Sequence, residues 1–71
     1  MRLKIRRFGD IISKVLTFNP DEETLPSLLN KIRMKLDLDN TYNILQLSGG
    51  GKIEEVTDLV FDDLVEILSP F

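Results

Sequence analysis

The sequence predicts an α+β fold in which a mixed sheet of four to five strands packs on one α-helix. Three observations predict it. The first residues alternate with period two, apolar Met1, Leu3 and Ile5 against cationic Arg2, Lys4 and Arg6. In mid-chain, Leu25, Leu28, Leu29, Ile32 and Leu36 recur at the spacing of one face of an amphipathic helix. After it, short apolar runs between Asp, Asn and Gly again read as strands. A chain of 71 residues makes one small domain, and only those strands can cover the helix stripe.

Each element follows from local chemistry. The first strand runs from Met1 to Phe8 and stops at the turn residues Gly9-Asp10. Ile11 to Asn19 reads as a second strand, with Ile12, Leu16 and Phe18 on one face. Lys14 shares that face, so it must lie near the sheet edge or extend its charge to solvent. The short connection makes the pair an antiparallel hairpin. Asn19-Pro20-Asp21 is a loop. Thr24 then caps a helix over Leu25–Leu36, where Pro26 is tolerated because the first turn lacks amide partners. Glu22 and Glu23 precede the positive end of the helix dipole, and Lys31, Arg33 and Lys35 fall toward its negative end. Asp37-Leu38-Asp39-Asn40 ends the helix by competing for its backbone hydrogen bonds.

Tyr42 to Leu47 is a third strand, Ser48 to Gly51 a tight turn and Lys52-Ile53 a stub strand. Val56 to Phe61 reads as a helical or 3₁₀ turn, and Leu64 to Leu68 as the last strand, with Val65 and Ile67 facing away from Leu64, Glu66 and Leu68. The helix joins a hairpin to later strands, so it is a crossover that lets the last strand run parallel beside the first. That arrangement is the β-grasp, or ubiquitin-like roll. The expected core is Leu3, Ile5, Leu16, Phe18, Leu28, Leu29, Ile32, Leu36, Leu45, Leu47, Ile53, Val56, Leu59, Val65 and Ile67.

Composition narrows function. With no Cys and no His, the chain has no disulfide, no thiol nucleophile, no Ser-His or Cys-His pair and no zinc site built on those residues. The longest apolar run is Leu59-Val60-Phe61, far short of a membrane span, so the expected partner is not a membrane and the expected location is cytoplasmic. A net charge of −3 does not favour nucleic acid. So small a core leaves little room for a buried active site, and no enzyme is expected.

The net charge conceals a polarity. Arg2, Lys4, Arg6 and Arg7 stand in the first seven residues without an acid, whereas Ile53 to Phe71 holds Glu54, Glu55, Asp58, Asp62, Asp63 and Glu66 without a base. Such runs either solvate exposed faces or form two poles that recognise an acidic partner or another copy. The candidate basic face is Arg2, Lys4, Arg6 and Arg7. The candidate acidic face is Glu54, Glu55, Asp58, Asp62 and Asp63.

Other motifs carry less. Gly49-Gly50-Gly51-Lys52 lacks the strand, spacing and long helix of a phosphate-binding loop and reads as a turn needing positive φ. The acids lack the EF-hand pattern, so no cofactor or metal is expected. Tyr42 reads as a sheet-edge packing residue. Pro70-Phe71 reads as a boundary within a longer protein, of which this is the expected N-terminal module.

Gly50-Gly51-Lys52-Ile53, then Val56, Asp58-Leu59 and Asp62-Asp63-Leu64-Val65-Glu66-Ile67, resembles the end of a doublecortin domain. Arg6-Arg7-Phe8-Gly9-Asp10 resembles its opening strand and turn, with Phe8 where Asn is usual, and Leu25–Leu36 resembles its helix. The KHA domain of plant potassium channels is similar over Ile53-Glu54-Glu55-Val56 and Asp62-Asp63, and CIDE-N domains share the fold and pair a basic with an acidic face. The resemblance implies a non-catalytic interaction module that binds tubulin, microtubules or another cytoskeletal partner through the basic first strand. The alternative it implies is self-association or scaffold assembly by charged faces. Doublecortin domains that bind microtubules tend to be basic, whereas this chain is acidic. Its ending, Leu68-Ser69-Pro70-Phe71, lacks the diglycine of a conjugated modifier.

Overall fold

Alternation at the start of the chain becomes strand β1 (Arg2–Arg7), in which Leu3 and Ile5 are buried while Arg2 and Lys4 are exposed. The computed structural model describes residues 1–71. β1 pairs antiparallel with β2 (Lys14–Thr17) in the register Leu3 to Leu16 and Ile5 to Lys14. The single helix, α1, spans Leu25–Leu36. The side chain of Thr24 accepts from the amide of Ser27, Pro26 lies in the first turn, and Arg33 and Lys35 lie in the last. Asp37 ends the helix in the left-handed region at φ 58°, and the Leu38 amide donates to the Arg33 carbonyl at 2.8 Å.

β3 (Ile44–Leu47) and β4 (Leu64–Leu68) complete a sheet of order β2-β1-β4-β3. β4 runs parallel to β1 and antiparallel to β3. A 3₁₀ turn over Val56–Asp58 leads into β4. The architecture is α+β, a mixed four-stranded sheet packed on one helix.

The expected second strand, Ile11 to Asn19, contracts to four residues. Ile5 is the last β1 residue with a β2 partner, and beyond it Arg6 and Arg7 pair only with β4. The chain reverses through Gly9 at φ 94°, leaving residues 11–13 without a strand opposite; Ile11 and Ile12 are 91% and 81% exposed. β3 likewise starts two residues late, because the Asp39 carboxylate accepts from the Thr41 amide at 2.9 Å and holds that segment in a turn. Lys52 makes a single bridge to Gln46 rather than a strand.

The ten buried apolar residues are Leu3, Ile5, Phe18, Leu28, Ile32, Leu45, Ile53, Leu59, Val65 and Ile67. All stand among the fifteen expected. Leu16, Leu29, Leu36, Leu47 and Val56 are half-buried around them, since one short helix leaves the margins of a four-stranded sheet uncovered. One charged residue is also buried: Glu66, in the centre of the sheet.

Candidate functional site

Strand parity sorts the cations. Leu3 and Ile5 point toward α1, so Arg2, Lys4 and Arg6 stand in a row on the opposite, open face of the sheet. Arg7 has the other parity and leaves that row. Its Nη2 meets Asp10 at 3.0 Å in the turn after β1, and the Asp10 carboxylate holds the guanidinium proton more tightly than usual. Three of the four expected basic residues therefore share a face.

The parallel register brings acids from sixty residues away onto the same row. Arg2 Nε donates to Asp62 Oδ1 at 3.1 Å, and Lys4 Nζ lies 3.6 Å from Asp62 Oδ2. Asp62 reaches both because it adopts φ 67°, with its amide donating to the Arg2 carbonyl at 2.7 Å. The Arg2 hydrogen bond draws the Asp62 carboxyl below its ordinary range against partial desolvation, and the Arg2 and Lys4 charges add to that. The Phe61 ring lies 5.5 Å from the Arg2 guanidinium, within cation–π range.

Further along the row, Arg6 donates to Glu66 Oε2 through Nε at 2.9 Å, and its Nη2 approaches the same oxygen at 2.8 Å. Gln46 Nε2 donates to Glu66 Oε1 at 3.2 Å, and Arg6 Nη2 also donates to Ser48 Oγ at 3.4 Å. Arg6 and Glu66 keep only 24% and 7% of their side-chain exposure, against about half for Arg2 and Lys4. Arg6 is thus fixed in place, whereas Arg2 and Lys4 present charge to solvent.

The expected acidic face divides among local tasks. Asp58 Oδ2 accepts from the Glu54 and Glu55 amides at 3.2 and 3.1 Å, and Asp63 Oδ2 accepts from the Val60 amide at 2.8 Å. Glu55 accepts from the Thr57 hydroxyl, and Asp62 belongs to the β1 row. Glu54 is left exposed with no side-chain hydrogen bond. No group of three or more acids lies close enough to hold a metal ion.

Two features have no local sequence signature or only a weak one. Glu66 stands on the outward face of β4 as its parity predicts, but its burial and its pairing with Arg6, which anchor the open face, follow from the register of β4 with β1. The second is the side of the molecule where β2 meets α1. There Lys14 Nζ donates to the Lys35 carbonyl at 3.3 Å, and Lys31 Nζ reaches the Thr17 carbonyl at 3.4 Å and pairs with Glu23. The signal was present: residues 11–18 and 25–36 hold Lys14, Lys31, Arg33 and Lys35 and no acid.

Against known protein families, curated proteins and solved structures, the chain gives no match.

Proposed function

We propose that this chain is a non-catalytic protein-interaction domain of the β-grasp kind, docking the open face of its sheet on an acidic protein surface. Strand order β2-β1-β4-β3 with a central parallel pair and one crossover helix supports the β-grasp reading. The observation that carries the docking reading is the row of Arg2 and Lys4, half-exposed at the centre of a sheet face that no helix covers. Their ion pairs with Asp62 lie at the surface, where solvent screening leaves them weak, so a denser acidic partner competes for both cations. Tubulin in microtubules is the partner that the doublecortin resemblance implies, and it offers such a surface. Arg6 supports this face through Glu66 rather than touching the partner.

The alternative, copies stacking basic face on acidic face, finds no assembled acidic face to use, since Asp58 and Asp63 cap local backbone amides and Asp62 belongs to the β1 row.

The test is co-sedimentation with stabilised microtubules at low and at physiological salt, for the parent chain and for Arg2→Gln/Lys4→Gln. Pelleting that weakens with salt and is lost in the variant supports the reading. Absence of pelleting at low salt, or unchanged pelleting of the variant, overturns the microtubule assignment. Mass that rises with concentration in light scattering selects self-association instead.

A further inference from the structure

We infer that the free edge of β2 takes up an extended, acidic segment of a partner protein as a fifth strand. This surface is distinct from the open face, and the inference stands whether or not that face binds microtubules.

The backbone pattern comes first. The Phe18 amide donates to the Met1 carbonyl at 2.8 Å, so in the antiparallel ladder Phe18, Leu16 and Lys14 turn their amides and carbonyls toward β1. Val15 and Thr17 alternate with them and present theirs outward. β2 is the end strand of the sheet, and of these outward groups the Thr17 carbonyl alone is engaged, by Lys31. The strand carries no Pro, and Val15 remains 51% exposed. An uncovered ladder of this kind is a template for another strand.

Charge then selects the occupant. Lys14 and Lys35 make no ion pair, although the chain as a whole is acidic, and with Lys31 they flank the edge on its helix side. The acids around this side are Asp10, held by Arg7, Glu23, held by Lys31, and the exposed cap Asp37. A second copy is a poor fit, because pairing two β2 edges sets the lysines of both copies against one another. A segment with carboxylates on its helix-side positions and apolar residues on alternate positions suits both surfaces. Its acids meet Lys14 and Lys35, and its apolar residues lie beside Val15.

The experiment titrates the full chain, observed by amide NMR, with an octapeptide of alternating Glu and Val, and separately with its Lys-Val counterpart. The acidic peptide is expected to shift the β2 amides, to protect the Val15 and Thr17 amides from hydrogen exchange, and to weaken with salt. Lys14→Gln/Lys35→Gln is expected to weaken it about fivefold, the scale of two exposed charge contacts. Val15→Pro removes an outward amide without touching the β1 ladder and is expected to abolish it. Arg2→Gln/Lys4→Gln is expected to leave it unchanged. The inference fails if no β2 shift arises, if shifts are confined to the open face and leave β2 unmoved, if the basic peptide shifts β2 equally, or if β2 shifts appear with protein concentration alone. It fails equally if the lysine variant, which keeps the backbone intact, binds like the parent.

Discussion

Arg6 and Glu66, sixty residues apart, sit side by side on parallel strands, with Glu66 Oε2 receiving both Nε and Nη2 of the guanidinium. The pair is largely withdrawn from water, and Gln46 occupies the remaining carboxylate oxygen. Removing Glu66 leaves a largely desolvated guanidinium with only Ser48 as a side-chain partner. Glu66→Ala is therefore expected to cost about 3 kcal/mol, a large share of the stability of so small a domain. Arg6→Met/Glu66→Leu is expected to recover most of it. Urea denaturation of the single and double variants checks this, and additive losses would refute it.

Asp62 competes in cis for the cations of the open face. Asp62→Asn keeps a side chain that tolerates positive φ but removes the charge between Arg2 and Lys4. Binding to an acidic protein surface at low salt is expected to tighten about twofold to fivefold, the range of a surface ion pair. A binding isotherm that weakens instead would mean Asp62 itself faces the partner.

Of the three glycines after β3, Gly50 alone has positive φ, at 99°, and its amide closes the turn onto the Leu47 carbonyl at 2.8 Å. No atom crowds a Cβ there, so the cost of Gly50→Ala is conformational, about 1 kcal/mol. Gly49→Ala is expected to change stability by only a few tenths. Thermal melts of the two variants separate them, and equal losses would contradict the turn geometry.

The pH dependence has a definite sign. Asp62 is held low first by Arg2, and Glu23 first by the Asn19 amide and then by Lys31. Both bind protons more weakly folded than unfolded. Their contribution is complete above the ordinary carboxylate range, about pH 4, and is lost as pH falls through the lower folded values. With no His and no Cys, the side chains add little variation between about pH 5 and 8. A stability profile that peaks sharply inside that window would contradict the assignment.

Periodicity made the helix and the buried faces readable. Leu28 and Ile32 on α1, and Leu3 and Ile5 on β1, are fully buried because repeated apolar spacing reports burial directly. Ile11-Ile12 misled for the same reason. Their β-branched chemistry suits a strand, but whether a strand forms depends on what lies opposite, and β1 has by then passed to β4. The cationic row was visible as a row, except at Arg7. Its neutralisation was not visible, because contacts between residues 2–6 and 62–66 follow from a parallel register that no local pattern encodes. The outward groups of β2 were hidden similarly, since an edge is defined only once the strand order is known.

The central pair of the sheet joins the first strand to the last. On the ribosome, β1, β2 and α1 emerge without the strand that lies beside β1, and Leu3 and Ile5 wait exposed for Val65 and Ile67. Native docking must then follow release of Leu68 from the exit tunnel, so the domain folds after its own translation rather than during it. Until then the nascent chain presents an apolar strand without its parallel neighbour.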